Sequence, residues 1–259
     1  MQSSKHDQTS QTSTSIAIAA GRLMPLSMPG LEQLDKSEKI LSTQLIKLKL
    51  PCSSDQCQTA TLLIKQAYVW GNSTVTNFNR HPNKITFSMF FGETAIGTIT
   101  LSIDSPAGLA ADVLYKREMD LLRQRGHRVC EFTQIALDQN IRSKRVLSSL
   151  FHIAYLYATR IHGCTDILVE TSNRRQLFFH NAFGFELFGK EKDSNRAMPT
   201  VLLRLTKDHV EKSLNQPTAL VIDDIPKQLY TYFFDKSSVA DLLEKLVEAP
   251  TKKGNQDEI

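Results

Sequence analysis

One stretch of this chain, residues 128–170, constrains the fold more than any other. Residues 128–137 (RVCEFTQIAL) read as a strand, 144–161 as the strongest helix of the chain, and 165–170 (TDILVE) as a short, nearly continuous apolar strand. A strand, a helix and a strand in this order form a βαβ unit, so the two strands are expected to run parallel. Within the helix, Leu147, Leu150, Phe151, Ala154, Ala158 and Ile161 follow helical spacing, and Val146, Ile153 and Tyr157 widen the apolar surface. A helix apolar over so much of its circumference packs on a sheet and is covered again on its outer side.

Upstream, residues 44–50 (QLIKLKL) alternate apolar and polar as a half-buried strand does, and Asp55 is placed to cap a helix reaching about Trp70. Lys84–Phe91 and Thr94–Ile103, joined by Gly92-Glu93, predict an antiparallel hairpin. The turn cluster 104–108 (DSPAG) precedes an amphipathic helix with Leu114, Leu121 and Leu122 inward, Lys116, Arg117, Arg123 and Arg125 outward, and Gly126 at its end. A short helix over about 175–183 closes at Gly184, and 200–205 is a last sheet strand. The expected class is α/β or α+β, a mixed sheet with helices on its faces.

Residues 1–22 are rich in Ser, Thr and Gln and predict a disordered tail; 23–205 form the main domain, 206–250 a helical C-terminal extension and 251–259 a polar tail. In the extension, Leu242, Leu243, Leu246 and Val247 share a stripe, and Ser238-x-x-Asp241 resembles a capping box. Such an extension closes over the domain or pairs with another subunit.

Composition excludes several classes. Thirty-one Lys and Arg against 27 Asp and Glu leave a net charge of +4, too mild to predict nucleic-acid binding. No window approaches the ~18 apolar residues of a membrane span, which leaves only peripheral membrane contact open. The apolar run 16–20 falls short of the ~7 residues of a minimal secretory core, so the expected location is cytoplasmic. Cys52 and Cys57 are spaced C-x4-C while Cys130 and Cys164 stand alone, and no zinc pattern is completed. No metal is expected; a Cys52–Cys57 disulfide stays open but would be rare in a cytosol.

The most informative single position is Glu131. On a strand over 128–137 one face carries Val129, Glu131, Thr133, Ile135 and Leu137, so Glu131 is a lone acid on an otherwise apolar face. It is either an edge acid in water or in an ion pair with an arginine such as Arg128, or a desolvated carboxylate with a raised pKa, suited to general-base work. Arg142, Lys144 and Arg145 open the long helix, where cations oppose the helix dipole; they make sense if an anionic group docks there, or else as a solvated charge run. Residues 140–149 contain no glycine, so no glycine-rich phosphate loop lies there. His152 and His162 read as packing histidines, and Tyr230, Tyr232, Phe233 and Phe234 as core. Asn173, Arg174 and Arg175 follow a buried strand, at the end where parallel sheets line sites, with cap and surface roles equally open.

Several separate motifs then occur in order: 104–109 (DSPAGL), 118–125 (EMDLLRQR), 130–133 (CEFT), 146–158 (VLSSLFHIAYLYA), 178–185 (FFHNAFGF) and 201–205 (VLLRL). Together, over roughly residues 45–205, they resemble the long-chain N-acyl amino acid synthase family, which is similar to the acyl-homoserine-lactone synthases and has the GCN5-related N-acetyltransferase fold. The resemblance implies a mixed, splayed sheet with an acyl-phosphopantetheine arm between strands 128–137 and 165–170. It implies an acyl carrier protein as donor, an amino acid as acceptor, an N-acyl amino acid as product, and no bound cofactor or metal. The family's Glu-x-Ser/Thr-Arg motif falls on Glu131 and Thr133, with Glu131 as base; backbone N–H groups near Ile135 and Leu137 stabilise the oxyanion. Arg142, Lys144 and Arg145 would attract an acidic carrier surface. The motif's arginine, which would orient the acid or hold the acceptor carboxylate, is Gln134 here, so Gln134 with Arg174 or Arg128 would have to take that job. A tyrosine that related acetyltransferases often keep is Phe179. These two departures motivate an alternative, a non-catalytic acyl-carrier-binding or acyl-sensing protein. A lactone synthase is disfavoured, because residues 70–80 lack a match to the acidic N-terminal motif of those enzymes.

Overall fold

A computed structural model of the chain describes residues 14–19, 45–50, 58–64, 83–140, 143–192, 199–215 and 229–248. Its frame is the βαβ unit: β5 (Val129–Leu137), α3 (Lys144–Leu156, continued as a π-helical turn Tyr157–Ile161) and β6 (Asp166–Ser172). Ser143 caps α3, its hydroxyl accepting from the Val146 N–H at 3.3 Å. β5 and β6 pair parallel. The hairpin β3 (Lys84–Phe91) and β4 (Thr94–Ile103) turns through Gly92 at φ 59° and pairs onto the other side of β5. With β1 (Thr14–Ala19), β2 (Leu45–Leu50), β7 (Glu186–Lys192) and β8 (Thr200–Thr206) they form one mixed sheet in the order β1-β2-β3-β4-β5-β6-β8-β7.

Alternation along the strands divides the core between two faces. On one, Phe87, Ile99, Leu101, Phe132, Ile167 and Leu203 meet α3. Every residue of α3 from Val146 to Leu156 is buried, because a second layer covers its outer side. That layer is the 3-10 turn Leu229–Tyr232 and α6 (Lys236–Glu248). The Ser148 hydroxyl donates to the Leu229 carbonyl, the Phe234 N–H donates to His152 Nδ1 at 3.0 Å, and Phe233 stacks on His152 at 4.0 Å. The extension thus covers α3 of its own chain. On the opposite face two helices share the work. α1 (58–64) brings Ala60, Leu63 and Ile64 onto Phe90, Ala95 and Ala136, and α2 (Asp112–Gln124) packs Tyr115, Met119 and Leu122 over Val129, Leu168 and Leu202. The remaining helices are α4 (Asn173–Phe183), closed by Gly184 at φ 74°, and α5 (Lys207–Asn215).

Three expectations are corrected and one strand is added. The stretch 1–22, expected to be disordered, contains β1, which pairs antiparallel with β2 and satisfies that strand's outer backbone groups. β7 was not expected, since a glycine and a charge run mark its sequence; a Cβ at Gly189 would come within 2.6 Å of the Tyr115 ring, so close approach to α2 explains the glycine. In α2 the inward stripe is Ala111, Tyr115, Met119 and Leu122, and Leu121 is exposed, because the helix is rotated toward its aromatic anchor. α6 starts at Lys236 and Asp235 caps it, accepting from the Ser238 N–H at 2.8 Å, so Ser238 lies inside the helix; Val247 is exposed. Cys52, Cys57 and most of the helix expected from Asp55 to Trp70 lie outside the described residues.

Candidate active site

The site begins where a ladder stops. β5 and β6 are in register only through Val129–Asp166, Cys130–Ile167 and Glu131–Leu168; beyond Glu131 the two strands part, although β5 runs on to Leu137 and β6 to Ser172. A bulge in β5 accompanies the separation. Thr100 stands opposite Thr133 and Thr98 opposite Ala136, so β5 carries an extra residue there, and Gln134 takes φ 49°. The Thr98 hydroxyl donates to the Gln134 carbonyl at 3.1 Å and the Thr100 hydroxyl to Gln134 Oε1 at 2.8 Å, which hold this left-handed residue in place.

The bulge reverses the parity of the strand. Ile135 and Leu137 pack on the α3 cluster with Cys130 and Phe132, whereas Val129 lies on the α2 face. The expectation that Val129, Glu131, Thr133, Ile135 and Leu137 share one face is therefore corrected: an inserted residue shifts the alternation by one. In consequence β5 offers Glu131 to one face of the opened sheet and Ile135 and Leu137 to the other.

Glu131 is 1% exposed, at the last rung before the gap. The Ala111 N–H donates to its Oε2 at 3.3 Å. Burial is the largest influence on the carboxyl and pushes its pKa up to about 7; the Ala111 and Ala110 N–H groups and the charge of Lys84 oppose this, while Glu170 reinforces it. The solvated-edge reading of Glu131 is thereby excluded. Such a group exchanges a proton near neutral pH, which is what a general base requires.

Other expected residues are placed as follows. Thr133 is half-buried opposite Thr100. Gln134 builds the bulge. Arg142 lies outside the described residues; Lys144 is exposed at the first turn of α3, and the Arg145 guanidinium sits 5.8 Å from the centre of the Tyr232 ring. Arg174 and Arg175 are exposed in the first turn of α4. Arg128 lies at the closed end of the β5–β6 pair, its guanidinium beside Gly163. Phe179 is buried among Phe178 and Phe185. His152 is a packing residue, its pKa lowered to about 3 by burial. Among the described residues no group of His, Cys, Asp and Glu is arranged to hold a metal ion, and no helix is long and apolar enough to cross a membrane.

One feature had not been anticipated. Between the α1 and α2 clusters the sheet face is polar. In register across β3, β4 and β5 lie Lys84, Ser102 and Glu131, then Thr86, Thr100 and Thr133, then Ser88 and Thr98 on β3 and β4. Thr86 and Thr100 share a hydrogen bond at 2.8 Å, and Ser88, Thr98, Thr100 and Ser102 are buried. Period-two Ser and Thr usually mark a face turned to water, so only their burial reveals a polar floor beside Glu131.

Comparison with known proteins agrees with this architecture. No curated protein matches the chain. Among solved structures, FeeM, an N-acyl amino acid synthase from uncultured soil microbes, superposes with a TM-score of 0.57 at 22% identity, covering 64% of this chain and 93% of that one. An acyl-CoA N-acyltransferase from Pseudomonas aeruginosa matches with a TM-score of 0.44 at 11% identity, over 61% of this chain and 97% of that one. An N-acetyltransferase from Staphylococcus aureus Mu50 matches with 0.44 at 15%, over 63% and 98%. The family described as N-acyl amino acid synthase FeeM matches residues 59–206, which span β3 to β8 and the whole site described above. The chain belongs to the N-acyl amino acid synthase FeeM family, a family of acyltransferase enzymes.

Proposed function

We propose that this chain transfers an acyl group from the phosphopantetheine thioester of an acyl carrier protein to the amino group of an amino acid. The observation that carries the reading is Glu131, a buried carboxylate with its pKa near 7, on the rung where the β5–β6 ladder ends. The thioester arm enters the gap from the α3 side and the amino acid approaches from the Glu131 side. Glu131 takes a proton from the ammonium group, the freed amine attacks the thioester carbonyl, and the carbonyl oxygen gains negative charge. Backbone N–H groups near Ile135 and Leu137, freed by the splay, are suited to stabilise that oxygen. The C–S bond breaks, the thiolate takes the second proton from nitrogen, and the N-acyl amino acid leaves with net release of one proton. Phe179 offers no proton to the thiolate, so the proton shed by the nitrogen is the one it takes.

A carrier-borne donor is supported by the entrance to α3. Residues 140–149 have no glycine and Ser143 caps the helix itself, so the sequence there lacks the glycines of a pyrophosphate cradle, while Lys144 presents a cation to an acidic partner. The test is to incubate the protein with acyl carrier thioester and a mixture of amino acids, and follow amides by mass spectrometry. Acyl amides are expected, with Glu131→Gln slower by at least about 100-fold and Lys144→Glu needing more carrier for the same rate. Carrier binding without thioester consumption would replace the transferase by a sensor.

A further inference from the structure

The polar floor beside Glu131 has a direction. Lys84 pairs with Ser102 and Ser102 with Glu131, so three side chains stand in one row across β3, β4 and β5 on the same face. Lys84 is exposed at the mouth of that row, Ser102 is buried in its middle and Glu131 is buried at its end. The Lys84 charge is felt at Glu131. Two strand spacings separate the ends, about 10 Å between Cα atoms. A flexible lysine cation at one end of this row and a carboxyl at the other stand on one face at a separation that suits the two charges of one small zwitterion.

The other cations fit this position less well. Arg123 is held by Asp104 and Asp112 at 2.6–2.8 Å. Arg128 is at the closed end of the β5–β6 pair, and Arg174 is in the first turn of α4, beyond β6 and on the far side of the gap from β3 and β4. From the row we infer that Lys84 anchors the carboxylate of the acceptor while Glu131 receives its amine, with Ser102 beneath the α-carbon. This rests on the transferase reading and deepens it.

Binding tests the inference without requiring turnover. The probes are N-dodecanoylglycine and N-methyldodecanamide, the same amide without its carboxylate, titrated calorimetrically below micellar concentrations into the full-length protein. Wild type is expected to bind the carboxylate probe more tightly. Lys84→Ala should weaken that binding by about tenfold to 100-fold, as the loss of a charge-assisted contact does, and leave the other probe unchanged. Lys84→Arg should retain most of the preference. Lys84 is exposed, so the fold should tolerate both changes. Equal affinities of wild type and Lys84→Ala for the carboxylate probe, or no binding of it by wild type, would overturn the anchor. A Lys84-dependent preference in a protein that forms no amide would instead keep the carboxylate site and defeat the transferase.

Discussion

At the scale of single residues, Glu131 links stability to pH in a way that can be measured. Its folded pKa of about 7 lies above the ordinary 4.5, so between these values the folded chain keeps a proton that the unfolded chain has lost. Stability from this group is full below about pH 4.5 and declines as pH rises to about 7, by up to roughly 3 kcal/mol. Glu131→Gln cannot ionise, so its stability relative to wild type should grow between pH 4.5 and 8; urea melts at the two pH values compare them, and parallel behaviour would contradict the raised pKa. In wild type, kcat/KM for amide formation should rise with pH up to about 7 and then level off. Gly97 makes a second residue-scale prediction. A Cβ there would lie 2.7 Å from Leu150 and 2.9 Å from Val146, so Gly97→Ala should cost about 1–3 kcal/mol in a denaturant melt by pushing α3 off β4. Glu131 stood out in the sequence as an acid on an apolar strand, but its burial did not, because it depends on residues far off in the chain, Ala111, which donates to it, and Leu168, its partner on the last rung.

At the scale of elements, the βαβ unit, the hairpin and the mixed sheet were legible because local periodicity and turn chemistry point to them directly. The bulge was not. Nothing in the run Thr133-Gln134-Ile135 announces an extra residue; it exists because Thr98 and Thr100 of the neighbouring strand hold Gln134 at φ 49°. Thr98→Val keeps shape but leaves the Gln134 carbonyl without that donor, and should cost about 1–3 kcal/mol. Because the bulge aims the backbone of Ile135 and Leu137 at the gap, the same variant should lose turnover more than affinity for the carrier. Stability and kcat measured together check this, and an unchanged kcat in a destabilised Thr98→Val would confine the bulge to a structural role. The alternating Ser and Thr of β3 and β4 carry no local sign of burial. Both faces of β4 are buried, Ile99 and Leu101 against the α3 cluster and Thr98, Thr100 and Ser102 on the other side.

At the scale of the whole molecule, the C-terminal extension completes the core of α3. His152 sits at this seam, accepting from the Phe234 N–H and stacked against Phe233 and Phe234. Its folded pKa of about 3 lies below the ordinary 6.5, so the seam is fully stable above about pH 6.5 and weakens as pH falls toward 3, the folded state resisting a proton that the unfolded state accepts. His152→Asn keeps an acceptor near the position of Nδ1 but does not titrate. Its stability should therefore fall less than that of wild type between pH 7 and 5, as read by thermal melts. Chain ending at residue 228 should expose the flank of α3 that Leu229, Phe233 and Leu246 cover and should aggregate, which light scattering would register.

The amino-acid sequence by itself determined the hairpin, the parallel pair, the doubly covered helix and the acid worth watching, because these follow from side-chain periodicity within a few turns or rungs. Only the tertiary structure decided that the ladder ends at Glu131, that β5 changes face at Gln134, and that a row of polar side chains from Lys84 to Glu131 lies between two apolar clusters. These depend on register between strands far apart in the chain and on which helix covers which rung, and no local pattern carries that information.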